Sequence, residues 1–321
     1  MGLILDLPQT RPTIAPPPRP SNARFWAEYR VEQLRAIQDK IATVIEAKAR
    51  NIDLEMEAAA EAASASPAAK NETLGGMLSP SQANLFLNCS AKWWFKYGAG
   101  LPDPRGGNAC RGTAVHKTVE RWFRLQLAGT AATVDDMGEV YDDAWDAAAD
   151  ETSFAKDDDI AELKRTGAVL ARKYLDEAAP EIRPAAIEQN ILGDIGGVPV
   201  RGYIDLVDVD GRIIDLKTSG KKPSGIEPGY AFQLATYQQL LPASNGKTRL
   251  DTLVATKAPQ LVTIEHTTTA QERLMTANLY PRVREGIREG LYFPNRGSNM
   301  CSRKYCNFVD ACCKEFGGCV D

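Results

Sequence analysis

The chain has 321 residues, 44% hydrophobic and 25% charged, a balance ordinary for a globular protein that buries a sizeable core as one large domain plus an appendage, or as two domains. Its formal net charge of -4 excludes a global basic field, so any nucleic-acid contact has to come from local basic patches. No run approaches the ~20 apolar residues that span a bilayer, and MGLILDLPQT lacks the basic and long apolar regions of a signal peptide. Asp6 stands where a myristoylation signal needs Ser or Thr. The expectation is an intracellular, cytoplasmic protein without membrane contact.

Residues 1–21 form a Pro-rich arm, expected to be extended and disordered. Residues 22–62 carry Phe25, Tyr29, Leu34, Ile37, Ile41, Val44 and Ile45 at helical spacing. They predict a long helical appendage, either a docking helix for a protein partner or a helix packed on its own domain. An Ala/Ser-rich linker spans 63–76, and the globular domain takes up 77–321.

That domain opens with LSPSQANLFLNCSAKWWFKY, in which Ser79, Pro80 and Gln82 mark a helix start with a capping box. A second helix is predicted from Arg111 or Thr113, carrying His116, Val119, Trp122 and Phe123. Residues 135–180 read as helical, acidic in the first half. From Ala186 the pattern changes to three strands, with turns at Gly196-Gly197 and Asp210-Gly211. A helix over Gly229 to Leu241, two strands in RLDTLVATK and QLVTIEHT, and a helix over 270–289 follow. This order predicts an α/β (α+β) domain with a mixed central sheet flanked by helices.

The third strand carries the chemistry. In RIIDLKTS, alternation puts Ile213, Asp215 and Lys217 on one face and Ile214, Leu216 and Thr218 on the other. The preceding strand supplies Asp205, which the Asp210-Gly211 turn can fold against Asp215. Two neighbouring carboxylates repel unless a cation lies between them, and oxygen ligands suit Mg²⁺ or Mn²⁺. Lys217 can orient or deprotonate an attacking water, or neutralise charge developing on a phosphate. In the next helix Gln233 and Tyr237 stand four residues apart, on one face. His116 is one of only two histidines. By itself an Asp-x-Lys strand reads equally as a solvated ion pair, Gln233 and Tyr237 as an ordinary helix surface, and His116 as a core histidine.

The run GYIDLVDVDGRIIDLKTSG followed by QLATY resembles the RecB-like branch of the PD-(D/E)XK nucleases. The resemblance covers about residues 77–316 and implies a restriction-endonuclease-like core. It implies that His116, Asp205 and Asp215, with the Leu216 carbonyl, ligate the metal. It also implies that Lys217 is the catalytic lysine, and that Gln233 and Tyr237 complete the site. SPSQANLFLNCSAKWWFKY is similar to the opening of the family's iron–sulfur members, where a first cysteine follows a Ser-rich helix start and three more lie at the C-terminus.

Seven cysteines are present, five of them in the last 21 residues, a clustering that suggests a metal or cluster site in a reducing compartment. Cys89, Cys301, Cys306 and Cys312 are the candidate ligands of a [4Fe–4S] cluster, with a closed structural Zn²⁺ site as the alternative. The x5 gap from Cys306 to Cys312 matches the family pattern. The x4 gap from Cys301 to Cys306 exceeds the usual x2, so Cys313 and Cys319 stay as further candidates. Cys110 is expected to pack as a small hydrophobe.

Basic groups that can contact phosphates are Lys221 and Lys222 after the strand, Arg105, Arg111 and Lys117 around the His116 helix, and Arg282, Arg284, Arg288, Arg303 and Lys304 toward the end. Trp93, Trp94 and Phe95 are expected in the core rather than stacked on bases. The resemblance thus implies a metal-dependent DNA exonuclease acting on ends or single strands in repair, recombination or phage replication, in the host cytoplasm if phage-encoded. The other readings are a non-catalytic RecB-like module that binds DNA or a partner, and a CRISPR-associated spacer-acquisition nuclease subunit.

Overall fold

The computed structural model describes residues 74–242 and 244–318. The Pro-rich arm, the helical appendage, most of the linker and Cys319 lie outside the described residues. Helix α1 spans Pro80–Asn88 and starts where predicted, with the Ser79 half of the expected capping box. Ser79 is extended, its hydroxyl accepts the Gln82 N–H at 3.2 Å, and Pro80 sits where no amide donor is needed. A short α2, Ser90–Trp93, runs into a π-helical turn, Trp94–Gly98.

Helix α3, Gly107–Leu127, begins earlier than the predicted Arg111 or Thr113. Its first turn opens on glycine, a weak helix former, so composition hides the start. Residues 135–180, expected to be helical, hold two helices, α4 at Met137–Asp150 and α5 at Ile160–Glu177. The break is held by aspartates that compete for backbone amides: Asp158 accepts from Ala155 at 2.8 Å, and Asp159 caps α5 by accepting from Glu162 at 2.9 Å.

The five strands are β1 Pro184–Ile195, β2 Val198–Asp208, β3 Ile213–Ser219, β4 Lys247–Val254 and β5 Gln260–Thr267, hydrogen-bonded in that order. Strands β1, β2 and β3 form an antiparallel meander, β4 runs parallel to β3 and β5 antiparallel to β4. Helix α6, Pro228–Leu240, makes the crossover that a parallel neighbour requires. Helices α7, Ala270–Arg288, and α8, Val309–Phe316, complete the described chain. This is the α/β architecture with a mixed sheet that the sequence predicted. Among the described residues no helix is long and apolar enough to cross a membrane.

The sheet is covered on both sides. Helices α3, α4 and α5 bury Val115, Phe123, Tyr141 and Leu170 against Ile187, Leu206, Ile214 and Leu216. Helix α6 buries Leu234, Tyr237 and Leu241 against Ile191, Ile204 and Ile213. The split of Ile213 from Ile214 and Leu216 is the alternation expected of β3.

Strand β1 breaks that rule. Ile187 and Ile191 are an even number of residues apart, yet they enter opposite cores. The reversal falls at Glu188, the one non-glycine described residue with left-handed backbone, φ 48°. Such a conformation costs about 1–2 kcal/mol. Strand β2 reverses in step, sending Leu206 and Ile204 to opposite cores.

Candidate active site

Strand β3 holds Asp215 and Lys217 side by side, with Lys217 Nζ 2.6 Å from Asp215 Oδ2. Asp215 is only 2% exposed. From α6, Gln233 Nε2 donates to Asp215 Oδ1 at 2.9 Å and to the Tyr237 hydroxyl at 2.7 Å. The i, i+4 pair read from the sequence therefore faces the carboxylate. Asp205 enters from β2. Its Oδ2 accepts the Leu216 N–H at 2.8 Å, where a backbone carbonyl would otherwise sit, and the β2–β3 ladder is confined to Leu206–Ile214 and Val207–Ile213. Leu216 thus joins the site through its amide. On the opposite side of Asp205 stands His116 of α3, Nδ1 3.6 Å from Oδ1, a charge contact longer than a hydrogen bond. Helix α3 comes this close because Gly112 has no Cβ: one placed there would lie 2.9 Å from Thr218 Oγ1 of β3.

The electrostatics divide the two carboxylates. Burial, aided by the Asp205 charge, pushes Asp215 up to about 6 against the pull of Lys217. Burial also acts on Asp205, but His116, Lys217 and the Leu216 amide outweigh it and hold Asp205 below the ordinary carboxylate value. Burial pulls Lys217 down, yet Asp215 and Asp205 more than compensate, so it is held above the usual lysine value as a cation. A lysine held protonated stabilises developing negative charge rather than taking a proton. His116 is likewise raised, Asp205 overcoming the effect of burial.

One participant was not anticipated. Ligand atoms of His116, Glu188 and Asp205 lie within 4.8 Å of one another, a candidate metal site. The signal for Glu188 is present in the hairpin. Gly196 and Gly197, both with positive φ, make the two-residue turn, and Ile195 pairs with Val198. Counting back residue for residue places Glu188 opposite Asp205. The three residues line an open cleft of about 580 Å³ together with Lys117, Lys217 and Thr218.

These residues fit a divalent cation. They supply carboxylate oxygens and one imidazole, and Asp215 Oδ2 is buried without a hydrogen bond, its close neighbour being the Lys217 ammonium.

The cysteines form a second locality. Cys89, Cys301, Cys306 and Cys312 line one small cavity with Lys92 and Arg296. Cys313 sits beside Cys312 on α8 but places its sulfur 3.7 Å from the Gly318 carbonyl oxygen. No three of the described cysteine sulfurs lie within 4.8 Å of one another. Arg296 Nη1 is buried there with no hydrogen-bond partner. Burial raises the Cys312 thiol, and neighbouring Arg296 pulls the other way.

Of the basic groups, exposed Lys117 lines the cleft, and Lys221 and Lys222 are exposed just after β3. Arg111 is not available to a phosphate: it is 7% exposed, packed where a Cβ on Gly167 would collide with it. Trp93 and Phe95 are core residues, and Trp94 stacks on Tyr292 at 4.8 Å. Cys110 is buried in the core under α3.

Comparison with known proteins bears on this geometry. The chain is similar to the crystal structure of a "putative exonuclease" from Eubacterium rectale, with 14% identity over 76% of this chain and 90% of that one, and a TM-score of 0.51, which speaks to the fold alone. It also aligns with the crystal structure of SSO0001, at 16% identity over 70% of this chain and 92% of that one, with a TM-score of 0.33. No curated protein matches. Residues 77–313 match the model of the PD-(D/E)XK nuclease superfamily. Because that match covers most of the chain and every element that builds the carboxylate site, the chain belongs to the PD-(D/E)XK nuclease superfamily.

Proposed function

We propose that this protein is a divalent-metal-dependent DNA exonuclease that hydrolyses phosphodiester bonds at ends or on single strands, in repair, recombination or phage replication. The observation that carries the reading is buried Asp215, bonded to both Lys217 and Gln233, with Lys217, Asp205 and His116 lining an open cleft. His116, Asp205 and Asp215 are the residues that would hold Mg²⁺ or Mn²⁺. When bound, such an ion polarises a phosphodiester and makes a water more acidic. Lys217 places fixed positive charge beside the phosphate as negative charge develops on it. Gln233 fixes the Asp215 carboxylate, and Tyr237 holds the Gln233 amide through the same hydrogen-bond chain. Lys221 and Lys222, exposed just after β3, are read as contacts to the DNA backbone. The name of the Eubacterium rectale neighbour agrees with an exonucleolytic mode.

The four cysteines are read as ligands of a [4Fe–4S] cluster. A closed Zn²⁺ site with Zn–S bonds of ~2.3 Å needs sulfurs ~3.8 Å apart, closer than any three of them lie here. An anionic cluster would also give the buried Arg296 Nη1 a partner. Its role is a staple that joins the start of the domain to its end.

The test is cleavage of end-labelled single- and double-stranded DNA with Mn²⁺, Mg²⁺ or EDTA, by anaerobically purified protein beside Asp215→Asn. Metal-dependent loss of label, absent in the variant, supports the reading, and the product ladder reports the direction of digestion. A folded wild-type protein that cleaves neither substrate would overturn it.

A further inference from the structure

Glu188 stands out by its backbone and by its surroundings. Its backbone is left-handed, a conformation side chains other than glycine's rarely adopt. Both hairpin strands reverse their facing at this pair, so that Ile187 and Leu206 enter one core while Ile191 and Ile204 enter the other. And its carboxylate, directed to the His116 side of the sheet, meets Asp205 and His116 without a hydrogen bond or ion pair of its own among the described residues. A regular strand would be the relaxed solution at this position. The irregular one adds a carboxylate beside Asp205, a repulsion that His116 and Lys117 offset in part and that a shared divalent cation would relieve.

We propose that Glu188 is a direct ligand of the divalent ion, sharing it with Asp205 and His116, and that the left-handed backbone at this residue is what presents it. The proposal rests on the nuclease reading only in that the site takes a divalent cation. It assigns a positioning and binding function to a residue outside the Asp-x-Lys and Gln-x-x-x-Tyr pattern.

The experiment measures Mn²⁺ affinity of the full-length protein without DNA, by electron paramagnetic resonance of free Mn²⁺, for wild type, Glu188→Gln, Glu188→Gly and Asp205→Asn. Melting temperatures are recorded in EDTA and in Mn²⁺. Glu188→Gln is expected to bind Mn²⁺ at least about tenfold more weakly, to melt in EDTA like wild type, and to gain less from Mn²⁺. Glu188→Gly accepts the left-handed backbone without strain, so it melts in EDTA at or above the wild-type temperature and still loses affinity. If both Glu188 variants bind Mn²⁺ as tightly as wild type while Asp205→Asn does not, Glu188 is no ligand and the nuclease reading stands. If wild type itself binds no Mn²⁺, the nuclease reading falls and the proposal with it. Should Glu188→Gln fail to fold, the affinity of folded Glu188→Gly decides: retention overturns the proposal.

Discussion

The carboxylate site takes its side chains from regular elements: Glu188 from β1, Asp205 from β2, Asp215 and Lys217 from β3, His116 from α3, Gln233 and Tyr237 from α6. The cysteine site takes Cys89 from the break between α1 and α2, Cys301 and Cys306 from a stretch without helix or strand, and Cys312 from α8. Strand register and helix periodicity hold the first set whether or not a ligand is bound. Little regular structure holds the second, so on the proposed cluster reading its cohesion is expected to depend on the cluster. Substitutions should therefore cost activity at one place and stability at the other.

The largest expected effect tests the first half of that contrast. Lys217→Met removes the cation beside the phosphate and lowers single-turnover cleavage by ~10²–10³-fold, with circular dichroism unchanged. If the fold collapses with the activity, the carboxylate site is not the preorganised one. Next in size, Cys89→Ser loses iron and the absorption band near roughly 400 nm, and lowers the melting temperature by roughly 10 °C, the scale of a structural metal worth several kcal/mol. A variant that keeps its melting temperature would show that the surrounding aromatic packing, not the cluster, staples this region.

Smaller effects sharpen the picture. Gln233→Ala releases Asp215 Oδ1 and the Tyr237 hydroxyl together, and is expected to cost about tenfold in turnover, read from kcat and KM on a labelled duplex. Acidification should weaken Mn²⁺ binding, because Asp215 is a neutral acid below about 6 and an anion above it. The expected direction is tighter binding at pH 8 than at pH 5, a dependence that shrinks in Asp215→Asn. Smallest of all, Cys313→Ser should leave iron content and melting temperature unchanged, since Cys312 lines the cavity with Cys89, Cys301 and Cys306 and Cys313 does not. Loss of iron in Cys313→Ser would reverse that assignment.

Particular residues show how far the sequence could be read. The Asp215–Lys217 pairing follows from strand alternation, and the Gln233–Tyr237 pairing from helix periodicity, so both were available from spacing alone. The break between α4 and α5 was not, because Asp158 and Asp159 end a helix only by bonding particular backbone amides. Arg111 looks in sequence like any basic residue near a site, but it is packed beneath Gly167 and Tyr141. Glu188 was within reach of hairpin counting. Its left-handed backbone was not, since no local rule predicts a strained glutamate in a strand.

Local periodicity determined which residues of one element share a face, and turn chemistry determined which strands are neighbours. Those two constraints act over a few residues and survive in the sequence alone. Only the tertiary structure decided that His116 reaches Asp205 from the neighbouring helix, that Gly112 lets it come close, that Glu188 turns toward both, and that Cys312 lines one cavity with Cys89. Each of those is a distance between elements, set by how buried side chains fill the space between them and not by any spacing along the chain.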